Sequence, residues 1–226
     1  MGACSSSGSK QQELGNGIRR GDDDDDGMDV MTAAAHAGER KKIMLLLDTT
    51  GSMTWKASPN EPVSRENVVH ESIKALLRDL GGSVRTVTFS DGTAFDIGDL
   101  TVDGISQQWR NIRWQGSTYI MPGVNMLYKT FQQNYQMLPD GTQQKLLMLV
   151  ITDGEAEDVE EFDRMLMSVQ GLMYVELAVL GYGPEHDAAY NSFLDIAKRN
   201  RHVRVTPFNS HTNPDKIAKM LYKMIS

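Results

Sequence analysis

A chain of 226 residues, 40% apolar and 23% charged, suits one domain of ordinary size with a tail and is too apolar for wholesale disorder. Its 23 Lys and Arg against 30 Asp and Glu leave a net charge of −7. That balance argues against nonspecific nucleic-acid binding, which needs basic patches to neutralise phosphates. The longest unbroken apolar run, Leu146 to Ile151, falls far short of the roughly 20 residues a membrane helix needs. The single cysteine, Cys4, rules out an intrachain disulfide and any cysteine-based zinc or Cys–His pair in the folded body. No apolar stretch of a secretory signal stands at the amino terminus, so the chain reads as intracellular.

Residues 1–41 are rich in Gly, Ser, Asp and Ala and show neither helical nor alternating apolar period. They bury too little apolar surface to offset ordering entropy, so the reading is a disordered tail before a domain at 42–226. Met1-Gly2-Ala3-Cys4-Ser5-Ser6 fits the myristoylation pattern, with Gly2 as acceptor and Ser6 at the hydroxyl position. One myristoyl chain holds a membrane only marginally, and a palmitoyl chain on Cys4 makes residence stable. Lys10, Arg19 and Arg20 are too few for a basic second signal, and an anionic leaflet repels Asp22 to Asp26. That Asp run lacks the interleaved spacing and distal Glu of an EF-hand and reads as a solvated spacer.

From Lys42 the pattern becomes regular. Ile43 to Leu47, ending in Asp48, is a short continuous apolar run, the mark of a buried parallel strand. Pro62 precedes a helical stretch from Val63 to Leu80, stopped by Gly81-Gly82. Val84 to Phe89 is a strand, joined through the turn Ser90-Asp91-Gly92 to an edge strand at Phe95 to Leu100. A short helix covers Ile105 to Ile112, and a longer one opens near Met121-Pro122 and points Val124, Leu127, Tyr128, Phe131 and Tyr135 inward. Leu146 to Ile151 is a central strand, followed by an acidic helix start at Glu155, Glu157, Asp158, Glu160 and Glu161. Strands at Tyr174 to Leu180 and Val203 to Phe208 bracket a helix at Asp187 to Arg199, and Pro214 opens the last helix, ending at Ile225. Six strands with helices between most of them give a doubly wound α/β sheet.

In such sheets ligands bind beyond the carboxyl ends of strands, where strand order switches. The first strand ends Asp48-Thr49-Thr50-Gly51-Ser52, and alternation puts Asp48, Thr50 and Ser52 on one side of the turn. The central strand ends Thr152-Asp153-Gly154, and Gln115-Gly116-Ser117-Thr118 supplies a further hydroxyl loop. Two carboxylates and three hydroxyls are hard oxygen donors suited to Mg²⁺ or Mn²⁺ in an octahedral shell. Softer metals want His or Cys, and these loops hold neither.

Asp48-x-Thr50-x-Ser52, Thr118 and Asp153-Gly154, in that order and in this α/β setting, resemble the metal-ion-dependent adhesion site of von Willebrand factor A (vWA) domains. The resemblance covers residues 42–226 and implies a six-stranded, mostly parallel sheet with one antiparallel edge strand and helices on both faces. It further implies a metal held by Ser52, Thr50 and Thr118, with Asp48 and Asp153 acting mainly through water, and a protein partner that supplies an acidic residue. Thr50 stands where the commonest form of the motif has Ser, and copine-like members are similar in this. Trp55 is expected either beside the metal face or in local packing. The combined expectation is a non-enzymatic binding module, acylated at Gly2 and Cys4, on the cytoplasmic face of a membrane and in part cytosolic. The alternatives are a Mg²⁺-dependent phosphatase-like enzyme and a metal-independent membrane scaffold. The first lacks the second Asp of haloacid-dehalogenase-type phosphatases, since Thr50 occupies that position, and no P-loop motif occurs.

Overall fold

The computed structural model describes residues 40–209 and 213–226. Gly2, Cys4 and the expected tail as far as residue 39 lie outside the described residues, whereas Lys41, expected in that tail, already pairs with Lys145 in the sheet.

The strands β1 (Lys41–Asp48), β4 (Val84–Ser90), β5 (Thr93–Leu100), β6 (Lys145–Thr152), β7 (Met173–Gly181) and β8 (Val203–Asn209) form one sheet in the order β5-β4-β1-β6-β7-β8. Every neighbouring pair is parallel except β4–β5, which is antiparallel, as the hairpin reading requires. Asp91 (φ 49) and Gly92 (φ 70) form its two-residue loop, a pair of left-handed positions that matches strand twist.

The apolar run of β1 serves two cores at once because successive side chains face opposite ways. Leu45 and Leu47 pack with Val69, Ile73 and Leu77 of helix α1 (Arg65–Leu80) and with Leu221 of helix α6 (Pro214–Ile225). The short helix α2 (Ile105–Trp109) closes the same face through Ile105 and Trp109. Met44 and Leu46 pack instead with Val124 and Phe131 of helix α3 (Met121–Asn134). Helices α4 (Val159–Ser168) and α5 (Pro184–Arg199) complete that second face through Phe162 and Phe193. Burial on both faces is why β1 and β6 read as unbroken apolar runs and β7 as one broken only at Glu176.

Two local expectations shift. The stretch from Val63 is not yet helical: Lys56–Ser58 (β2) and Glu61–Ser64 (β3) pair as an antiparallel hairpin, and α1 begins at Arg65. The acidic run after β6 also starts before its helix. Asp158 accepts the Ile120 and Met121 amides, each at 2.9 Å, and α4 opens only at Val159. Its carboxylate thereby satisfies orphan amides at the start of α3. Among the described residues, no helix is long and apolar enough to cross a membrane.

Candidate metal centre

β1 and β6 are adjacent and end level with one another, so Asp48 and Thr152 come side by side at the carboxyl edge of the sheet centre. The loops leaving these strands part toward opposite faces, which opens the crevice where such folds bind ligands. Asp48 is fully buried. Its Oδ1 accepts the Thr50 amide at 2.8 Å and its Oδ2 accepts the Thr152 hydroxyl at 2.6 Å. The turn continues through a helical turn at Gly51–Thr54 and brings Thr50 Oγ1 within 3.1 Å of Ser52 Oγ. Ser52 Oγ in turn donates to Asp153 Oδ1 at 2.8 Å. Four of the five residues singled out in the sequence therefore form one connected polar network.

The fifth arrives on the loop before α3. The Gln115 amide donates to Thr49 O at 3.0 Å, the Gly51 amide to Gly116 O at 3.3 Å and the Asp91 amide to Ser117 O at 2.9 Å. The Glu157 amide donates to Thr118 O at 2.9 Å, fastening this loop to the one after β6. Gly116 is required here: its φ is +80°, and a Cβ would stand 2.4 Å from Asp91 Cβ. Thr118 Oγ1 then lies against Gly154, 3.2 Å from where a Cβ on that residue would be. The loops after β1, β4 and β6 and the loop before α3 thus meet at one edge.

The electrostatics favour a cation. Burial, reinforced by the charge of Asp153, pushes the Asp48 carboxyl up to about 7 against hydrogen bonds from Thr152 and Thr50. Burial also raises Asp153, although the Arg65 guanidinium and the Ser52 hydroxyl pull it back. Two desolvated carboxylates facing each other gain from any positive charge placed between them and the hydroxyls.

One such charge is resident. Arg65, the first residue of α1, is buried and ion-paired with Asp153 Oδ2. Its Nη1 also lies 3.5 Å from Ser52 O, and Trp55 covers its guanidinium with Cζ 5.9 Å from the ring centroid. Trp55 itself is 54% exposed, so it flanks the centre at the rim. Sequence reasoning missed both Arg65 and Thr152. Thr152 stood next to Asp153 and could have been found by asking what donates to Asp48.

Among the described residues, no three His, Cys, Asp or Glu side chains gather into a metal cluster, so any ion here relies on hydroxyls beside the two carboxylates. The oxygens present fit Mg²⁺ or Mn²⁺ in kind and spacing. In an octahedral Mg²⁺ shell adjacent oxygens stand about 3 Å apart. Thr50 Oγ1 to Ser52 Oγ and Ser52 Oγ to Asp153 Oδ1 are 3.1 and 2.8 Å.

No family model and no curated protein matches the sequence. Solved structures do resemble the fold. A von Willebrand factor type A structure from Catenulispora acidiphila aligns with 82% of the chain at 14% identity and a TM-score of 0.56. The present chain spans only 42% of that protein's length. An aerotolerance-related membrane protein from Bacteroides fragilis aligns at 20% identity, covering 82% of this chain and 98% of that one, with a TM-score of 0.58. The SpRpn10 VWA domain aligns at 12% identity, 80% and 95% coverage and a TM-score of 0.58. With its central β1, antiparallel edge strand β5 and helices on both faces, the chain has the fold of von Willebrand factor A domains.

Proposed function

We propose that the chain is an intracellular protein-binding module, lipid-anchored to the cytoplasmic face of a membrane and in part cytosolic, whose metal-ion-dependent adhesion site takes an acidic residue of a partner protein. The observation that carries this reading is the hydroxyl–carboxylate network of Thr50, Ser52 and Asp153, with Asp48 buried behind it and Thr118 alongside. Mg²⁺ or Mn²⁺ held there supplies an open coordination position for a carboxylate from outside. Asp48 orders the Thr50 turn, Thr152 fixes the carboxylate of Asp48, and Ser52 and Asp153 set the spacing of the donors. Ser52 Oγ is engaged by Thr50 and Asp153 and not by an imidazole, which counts against a hydrolytic nucleophile.

The residues ahead of β1, up to 39, complete the proposal as a tether acylated at Gly2 and Cys4. The test is calorimetry of Mn²⁺, then Mg²⁺, against the full chain beside Asp48→Asn and Ser52→Ala. Binding in the parent and a loss of roughly tenfold or more in each folded variant is expected. A folded parent that binds neither ion up to about 10 mM removes the metal from the proposal and leaves a metal-independent scaffold.

A further inference from the structure

Arg65 is placed where a divalent ion would feel it most. Its Nη1 is paired with Asp153 Oδ2, and Ser52 Oγ donates to Asp153 Oδ1 at 2.8 Å, so both oxygens of that carboxylate are engaged. Three further features describe how the guanidinium sits. Its Nε is buried and has no hydrogen-bond partner among the described residues, so the pair is not the fully satisfied fork that a purely structural Arg–carboxylate contact reaches. Gly181, the last residue of β7, has φ +119°, and a Cβ there would stand 3.1 to 3.3 Å from Nη2, Cζ and Nε, so the strand end leaves room for the guanidinium. Trp55, half exposed, offers an aromatic face between this buried position and solvent.

We propose that Arg65 is a built-in rival of the divalent cation: it neutralises Asp153, and it must leave that carboxylate, sliding outward along Trp55, for an ion to take its place. Asp153 carries the carboxylate charge that faces the hydroxyls, and Arg65 in place cancels it. A dication at the Thr50–Ser52 hydroxyls meets a like charge a few ångströms away in a poorly screened site, so the two compete. Once displaced, the guanidinium remains tethered to the start of α1 at the rim of the site. There it donates to the incoming acidic side chain, so ion and partner each favour the other's binding. Arg65 thereby becomes a specificity residue for carboxylate-bearing partners. This inference rests on the metal reading above.

The test compares Mn²⁺ binding, by loss of the free-ion paramagnetic resonance signal, in the full-length parent and in Arg65→Gln. Glutamine keeps an amide donor for Asp153 without the charge. Tightening of roughly 10- to 100-fold in Arg65→Gln is expected. In the parent, saturating Mg²⁺ is expected to shift the Arg65 Nε–Hε resonance. Equal Mn²⁺ affinity in the two proteins overturns the rivalry and leaves the metal reading intact. Failure of both folded proteins to bind Mn²⁺ sinks the metal reading, and the inference with it. If Arg65→Gln does not fold, the parent resonance decides: a shift supports the proposal, and an unmoved signal at Mg²⁺ saturation overturns it.

Discussion

Thr152 shows how much one hydroxyl carries at this edge. Its Oγ1 is the donor to Asp48 Oδ2, and Asp48 is sealed from solvent. Thr152→Val keeps the shape and removes the donor, leaving a buried carboxylate with one oxygen unsatisfied. The expected cost is about 1–3 kcal/mol in urea unfolding, with Thr152→Ser recovering most of it. An unchanged midpoint in Thr152→Val would show that the Thr50 amide alone suffices. The Asp48–Thr50–Ser52 portion of the site was legible because its members lie within five consecutive residues, but β1 ends at Asp48 and the helical turn at Gly51–Thr54, not the expected strand alternation, brings Ser52 beside Thr50. Arg65 was not legible, since 88 residues separate it from Asp153 and nothing near Pro62 signals an ion pair. Only the meeting of the start of α1 with the end of β6 gives it a partner.

At the scale of elements, apolar runs and turn residues predicted the six sheet strands and the order of helices, and the β4–β5 hairpin followed from Asp91-Gly92. The β2–β3 hairpin was hidden because the only alternation between Trp55 and Ser64 is the four residues Trp55-Lys56-Ala57-Ser58, cut off by Pro59, and Pro62 sits within the second strand. α3 reaches the sheet through Gly123, where a Cβ would come 2.6 Å from Leu46 Cδ1 and 2.9 Å from Phe89 Cβ. Gly123→Ala forces the helix off β1 and β4, and a loss of about 1–3 kcal/mol in denaturant unfolding is expected. A gain in stability, from lower entropy of the unfolded chain, would show that α3 shifts without strain.

β7 carries a further buried carboxylate, Glu176, paired with Arg204 of β8. Burial pushes its carboxyl up from 4.5 to about 7, against the charges of Arg204 and Lys41. Between those two values the folded chain holds a proton that the unfolded chain has released, so stability falls as pH rises through this window. Glu176→Gln is expected to remove this group's share of the decline, so that the parent–variant difference changes by about 3 kcal/mol across the window in urea unfolding at a series of pH values, while the share of Asp48, raised to about 7 as well, remains in both proteins. A parent–variant difference independent of pH would mean that Arg204 keeps the group ionised throughout.

The whole molecule is expected to sit on membranes through its first residues, and Gly2→Ala is the variant that tests this. Fractionation of cells should find the parent with membranes and Gly2→Ala in the soluble fraction. Full retention of the variant would end the acylation proposal. Chain order made the parallel character of the sheet legible, but strand order could come only through the resemblance, because no local signal says that β1 lies between β4 and β6. That central position has a mechanical consequence. Lys41 and Asp48 are opposite ends of β1, roughly 23 Å apart along an extended strand. Were the chain anchored before residue 40 and a partner held through a metal at Thr50, Ser52 and Asp153, tension would enter β1 at Lys41 and pass in part across its ladder to β6, which leads to Asp153. That strand pairs with β6 over Lys41 to Leu47 and with β4 over Met44 to Asp48. Such a load would shear the parallel ladders instead of unzipping them bond by bond, so an anchor and a grip so placed would be joined by the part of the sheet best arranged to bear a pull.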